Sequence, residues 1–211
     1  MNASIFILCA GDASRFDGIG PKQLLPWRKD DSESILARTA HQVRRQGFVP
    51  CVVTGNPEIL RASHNPLFPP LSPEGSRWTC ETAFSTRRFW KGEFVAFLLG
   101  DVCWTHDAIA QFLNSENVTT WCGDDVDIFG LRFPSASWTT VSTALRKVVE
   151  SPVKPHKGRL RDLWGSLYGK NLLIKDGTMD VDTMADHNRL LNRWGKRPAF
   201  VHPSNRGIAK G

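Results

Sequence analysis

Arg15 and Lys22 stand at either side of a short glycine-containing gap, and Asp101, Asp180 and Asp182 follow far downstream, beside apolar runs that read as strands. The run Ile5-Phe6-Ile7-Leu8 leads into Cys9-Ala10-Gly11-Asp12-Ala13-Ser14-Arg15, and Pro21-Lys22-Gln23-Leu24-Leu25-Pro26 comes after it. Small side chains after a strand leave backbone N–H groups open, so the amides can approach a phosphate closely. Arg15 and Lys22 add two cations, which suit the charge of a polyphosphate. An ordinary loop with two surface cations has the same local pattern, so the loop gains meaning only together with the acids.

The segment Leu98-Leu99-Gly100-Asp101-Val102 places a carboxylate just beyond a continuous apolar run. In open α/β sheets, ligands bind at the carboxyl ends of strands. Capping of the next turn is the other use of an aspartate there. In Asp180-Val181-Asp182 the two acids share a face if the backbone is extended, because side chains alternate along a strand. Paired carboxylates are costly unless a cation neutralises them. The alternative is a strand with solvent-facing acids before a capping threonine.

These residues need a framework, and the pattern predicts an α/β layer fold in which apolar runs alternate with helical segments. Strands are expected over 4–8, 51–53, 94–99, 118–121, 127–133 and 172–174. The run over 94–99 suits a central strand buried on both faces. Helices are expected over 34–46, from Glu81 to Phe89, and after a Thr105 cap with Ala108, Ile109, Phe112 and Leu113 on one face. Val141, Leu145 and Val148 mark a further helix, as do Leu160, Leu163, Trp164 and Leu167. A last one runs from Thr183 to Trp194, with Thr183 and Asp186 placed as N-cap and N3 acid. Residues 57–80, rich in proline and serine, read as a long loop. Trp104 stands close enough to Asp101 to wall a pocket or simply to pack, and His106 and His187 read as surface or capping residues.

A chain of 211 residues, 41% hydrophobic, suits one domain with a substantial core, over 1–194, followed by a basic tail over 195–211. The net charge of +6 is compatible with nucleic acid, acidic membranes or phosphorylated small molecules. No uniform basic helix, long Lys/Arg run or nucleic-acid motif appears, so nucleic acid is not expected as a partner. The five cysteines have no Cys-x-x-Cys spacing and are odd in number, which points to buried free thiols in a reducing compartment and away from zinc. The first ten residues lack a basic leader, and no apolar run approaches the roughly 20 residues that span a bilayer. A cytoplasmic protein without a membrane span is expected, of unspecified oligomeric state.

The segment from Ala10 to Lys22 resembles the opening motif of the sugar-phosphate and alcohol-phosphate nucleotidyltransferases, Ala-Gly-x-Gly-Ser/Thr-Arg and then, after a gap, Pro-Lys. Ala10, Gly11, Ser14, Arg15, Pro21 and Lys22 match it, while Ala13 stands where that family has its second glycine. Gly100-Asp101-Val102 resembles the Gly-Asp-Val after the family's central strand, in its sugar-phosphate and phosphocholine branches rather than the Cys-Asp-Met-Pro type of the molybdenum-cofactor branch. Asp180-Val181-Asp182-Thr183 is similar to the family's closing Asp-Ile/Val-Asp-Thr-Pro-Glu-Asp-Leu, with departures at Met184, Ala185 and His187.

The resemblance implies a three-layer, Rossmann-like nucleotidyltransferase (GT-A-like) fold with a mixed, mostly parallel sheet, over 1–194. It implies attack by an acceptor phosphate oxygen on the α-phosphorus of a nucleoside triphosphate, with release of pyrophosphate and formation of a nucleotide-activated sugar or alcohol. Mg²⁺ would be held by Asp101 and Asp182 with Asp180 close by, Arg15 would bind the β- and γ-phosphates, and Lys22 would stabilise charge at the α-phosphate. Ala10, Gly11 and Ser14 would line the nucleotide, reached by Thr54, Gly55 and Asn56 and by Thr79 to Thr82. Glu81 departs from the small or amide residue that is common in the family there, so base preference stays open. The loop from Lys154 to Arg159 could bring a further cation to the acceptor phosphate. The partners implied are a nucleoside triphosphate and a phosphorylated small-molecule acceptor. Two other readings stay open: a metal-dependent glycosyltransferase of similar build, and a non-catalytic nucleotide-binding descendant.

Overall fold

The computed structural model of this chain describes residues 2–9, 20–29, 31–63, 70–71, 78–151 and 158–194. Strands β1 (Ala3–Cys9), β2 (Pro50–Thr54), β3 (Pro70–Leu71), β4 (Phe94–Leu99), β6 (Thr120–Gly123), β7 (Ile128–Pro134) and β8 (Lys170–Leu173) form one sheet. Their order is β3-β2-β1-β4-β7-β6-β8, and β5 (Val102–Cys103) pairs with β9 (Met179–Asp180) in a separate ribbon. β1 is parallel to β2 and β4, whereas β7 runs antiparallel to both β4 and β6. The sheet is therefore mixed and mostly parallel, as expected.

Strand alternation sorts the core into two layers. Phe6, Leu8, Val95 and Phe97 face one side, where they meet α3 (Thr79–Ser85), α5 (Trp138–Glu150) and α6 (Leu160–Trp164) through Cys80, Ala83, Val141, Leu145 and Leu163. Ile5, Phe94, Ala96 and Leu98 face the other side, against Val43 of α1 (Ile35–Arg45) and Ile109 and Phe112 of α4 (His106–Leu113). Strands buried on both faces read as unbroken apolar runs, which is why β1 and β4 are plain in the sequence. Ser34 Oγ accepts from the Ala37 amide at 3.1 Å, and Thr105 Oγ1 accepts from the Ala108 amide at 3.1 Å.

The stretch 57–80 departs from the expected loop. Asn56 Oδ1 accepts from the Glu58 and Ile59 amides and starts α2 (Pro57–Ala62), with Pro57 at its first turn and Ile59 fully buried. A helix of six residues carries too few turns for a periodic signal, so the cap and the proline were the only clues. α3 also begins at Thr79 rather than Glu81, and a 3-10 turn over Thr86–Phe89 follows it. The last helix, α7 (Met184–Trp194), begins where Thr183 and Asp186 form a reciprocal cap: Thr183 N donates to Asp186 Oδ2 at 2.8 Å and Asp186 N to Thr183 Oγ1 at 3.2 Å.

All five cysteines are free thiols, and Cys9, Cys80, Cys103 and Cys122 are buried. The expected basic tail, 195–211, lies outside the described residues.

Candidate active site

Gly100 makes the site possible. Its amide donates to Leu8 O at 2.9 Å, so the chain leaves β4 pressed against the end of β1. A Cβ there would lie 2.4 Å from Cys9 Sγ and 3.2 Å from Leu8 O. Only glycine lets the backbone approach this closely. The next residue, Asp101, is thereby set at the carboxyl ends of β1 and β4.

The two downstream acids arrive through the ribbon. Val102 of β5 stands opposite Asp180 of β9, and the Val181 amide donates to Asp101 O at 3.2 Å. Val181 is fully buried with Leu25, Trp27, Ile35, Cys103 and Leu190. With Val181 turned into that cluster, its neighbours Asp180 and Asp182 turn the other way, towards Asp101. One carboxylate oxygen from each of Asp101, Asp180 and Asp182 lies within 4.8 Å of the others.

Lys22 comes from the opposite side. Pro21 precedes a 3-10 turn over Lys22–Leu24 in which Gln23 is buried, so the backbone is fixed while the lysine stem reaches out. Its Nζ is 2.7 Å from Asp101 Oδ2 and 2.6 Å from Asp182 Oδ1. Burial alone would lower the lysine pKa, but the Asp101 and Asp180 charges and the bonds to Asp101 and Asp182 outweigh it and hold the ammonium above the ordinary range. Asp180 shows the reverse balance. Burial first, then the charges of Asp101 and Asp182, push its carboxyl up to about 8, with Lys22 opposing.

The cluster fits a hard divalent cation. Asp180 Oδ1 is buried and has no hydrogen-bond partner among the described residues. A buried oxygen without a donor is costly unless something binds it. Carboxylate oxygens are the ligands that Mg²⁺ takes, usually one or two of them together with phosphate oxygens.

The other expected contacts divide into three groups. Ala10, Gly11, Ser14 and Arg15 lie outside the described residues, as do Lys154 to Lys157, expected to bring a cation to the acceptor. Thr54 is fully buried at the end of β2; its hydroxyl donates to Cys9 O at 3.2 Å and accepts from the Asn56 amide at 3.0 Å. It ties the ends of β1 and β2 together, leaving Gly55 exposed and Asn56 half-buried at the start of α2. Thr82 is fully buried, with its hydroxyl bonded to Trp78 O one turn back at 3.0 Å. Gly158 has φ +99° and its carbonyl accepts from the Cys80 amide at 2.6 Å, which ties Gly158 to the start of α3.

Of the two uses open to Trp104, packing is the one found: it is fully buried, its ring lies 5.8 Å from that of Phe112, and its Nε1 donates to Leu99 O at 3.3 Å. One residue differs from expectation. His187 is not a surface residue. It is buried, with Nε2 2.8 Å from Pro26 O, and pins α7 to the segment that carries Lys22. Its place one turn into α7, on the face that also presents Leu190, was the available signal.

Residues 5–125 match the family model of the MobA-like NTP transferase domain. The fold is similar to that of a UDP-glucose pyrophosphorylase complexed with UDP-glucose (TM-score 0.72, 13% identity, 92% of this chain and 98% of that one). It is also similar to a CTP:phosphocholine cytidylyltransferase from Streptococcus pneumoniae (TM-score 0.66, 10% identity, 90% and 98%). A nucleotidyl transferase from Methanothermobacter gives TM-score 0.65 at 16% identity, over 90% and 96% of the two chains. At these identities the likeness is one of fold. Comparison by sequence with curated proteins finds no match. Among the described residues, no helix is long and apolar enough to cross a membrane.

Proposed function

Because this chain belongs to the MobA-like NTP transferase family, we propose that it transfers a nucleoside monophosphate from a nucleoside triphosphate to a sugar phosphate or phosphoalcohol. The observation that carries this reading is the meeting of Lys22 with Asp101, Asp180 and Asp182 at the carboxyl ends of β1 and β4. A phosphate oxygen of the acceptor attacks the α-phosphorus. The bond from that phosphorus to the oxygen bridging to the β-phosphorus breaks, pyrophosphate leaves with the electron pair, and a new phosphoanhydride remains. Such a reaction needs positioned reactants and neutralised charge rather than a protein nucleophile.

Each residue then has a task. Lys22 moves its ammonium to the α-phosphate and stabilises the charge that builds there. Arg15, which follows β1 in the sequence, grips the β- and γ-phosphates, and the amides of Ala10, Gly11 and Ser14 line the same anion. Asp101 and Asp182, with Asp180 beside them, would hold Mg²⁺, which when bound neutralises phosphate charge and fixes the triphosphate geometry. Gly55 and Asn56 offer an exposed edge for the base, braced from behind by Thr54, and Thr82 supports the facing helix from within.

The test is a pyrophosphate-release screen of four nucleoside triphosphates against sugar 1-phosphates and phosphoalcohols in Mg²⁺. The expected result is acceptor-dependent release with one preferred pair. Release of free nucleoside diphosphate from a nucleotide sugar, with no pyrophosphate from any triphosphate, would identify a glycosyltransferase instead. Triphosphate binding without turnover of either kind would identify a non-catalytic protein.

A further inference from the structure

Lys22 does more in this structure than wait for phosphate. Its Nζ lies 2.6–2.7 Å from oxygens of Asp101 and Asp182, two of the three acids that form the cation cluster. Both are hydrogen-bonded ion pairs; the Lys22 and Asp101 side chains are 16% and 19% exposed, while Asp182, at 48%, stands on the solvent side of the cluster. The ammonium thus takes two of the carboxylates that a divalent ion would take. A divalent ion and an ammonium packed on the same carboxylates would repel each other at close range, most strongly on the Asp101 and Asp180 side, where burial limits screening by water.

We propose that Lys22 is the resident cation of the acidic cluster, and that it excludes divalent ions until a triphosphate draws it away. This rests on the nucleotidyltransferase reading given above. The exchange is balanced in charge: Lys22 leaves carboxylates for phosphate oxygens, and the freed carboxylates take the ion that arrives with the nucleotide. The backbone need not move. The turn at Lys22–Leu24 is held by the Leu24 amide on Pro21 O at 2.9 Å and by buried Gln23, while the lysine stem is a flexible four-carbon chain. The consequence is ordered loading, in which ion and triphosphate each raise the affinity for the other. A free divalent ion does not sit in the site alone.

The experiment is Mn²⁺ binding to the nucleotide-free protein, read by electron paramagnetic resonance of free Mn²⁺. Lys22→Met keeps the stem and removes the charge. It is expected to bind Mn²⁺ at least tenfold more tightly than wild type, about 1.4 kcal/mol, and Lys22→Met with Asp101→Asn is expected to lose that gain. Equal affinity in Lys22→Met and wild type would overturn the proposal. Should Lys22→Met fail to fold, wild type alone decides: its Kd without nucleotide is expected above about 1 mM, and micromolar binding would overturn the proposal. The two readings fail separately. Pyrophosphate release by wild type with no gain in Lys22→Met removes the gate and keeps the transferase. A gain in Lys22→Met with no pyrophosphate release by wild type keeps the gate and removes the transferase.

Discussion

Val102 and Asp180 face each other across a ribbon of only two residues per strand. That pairing joins residues 78 apart in sequence (180 minus 102) and sets the acid pair of the closing segment beside Asp101. The ribbon is too short to hold by its own hydrogen bonds. It holds because Val181, at its end, is buried among Leu25, Trp27, Ile35 and Leu190.

Asp101→Asn is expected to lower turnover at least about a hundredfold, since one charge at the reacting phosphates is lost. Folding should change by about 1 kcal/mol or less, because loss of the Lys22 pair is offset by relief of repulsion on Asp180. Steady-state pyrophosphate release and urea unfolding check both halves. Activity near wild type would exclude Asp101 from the site.

Gly100→Ala is expected to destabilise the fold by about 1–3 kcal/mol through overpacking. Its Cβ would meet Cys9 Sγ at 2.4 Å and displace Asp101 with it. The double variant Cys9→Ala with Gly100→Ala should recover part of the loss, because the sulfur is the nearer obstacle. Thermal unfolding of the four-member cycle reads the coupling. Strict additivity would show that Leu8 O, and not Cys9, sets the limit.

Asp180 makes metal-free stability depend on pH. In the folded chain its carboxyl is pushed up to about 8, chiefly by burial and secondly by the Asp101 charge. In the unfolded chain it has the ordinary aspartate value of about 4. Between those values the folded form holds a proton that the unfolded form has released, so this contribution is whole below about pH 4 and is lost as pH rises to about 8. Urea midpoints in the presence of a chelator should therefore fall between pH 5.5 and 8.5 in wild type, by more than in Asp180→Asn. Parallel pH profiles in the two proteins would refute it.

His187→Ala is expected to cost about 1–2 kcal/mol, from loss of its bond to Pro26 O and from the orphaned carbonyl. His187 acts through its bond to Pro26 O, four residues from Lys22, so the effect on turnover should be about an order of magnitude smaller than that of Asp101→Asn. Denaturation and pyrophosphate release, measured side by side, separate the two. A loss of turnover as deep as that of Asp101→Asn, in folded protein, would show that α7 docking sets the Lys22 position.

The sequence by itself determined the layers and the identity of the acids. β1 and β4 are unbroken apolar runs because both faces are covered, and such runs need no partner to be recognised. Thr105 and Thr183 announce helices because a cap is a bond between near neighbours in sequence. Gly100-Asp101 and Asp180-Val181-Asp182 were legible as candidate ligands from local pattern alone. What only the tertiary structure decided is how these pieces meet. The contact between Lys22 and Asp182 spans 160 residues, and the turn of Asp180 and Asp182 towards Asp101 depends on which cluster buries Val181. Burial of His187 and Trp104 followed the same rule: a polar or aromatic side chain is placed by the distant surface that covers it, and no local pattern encodes that surface.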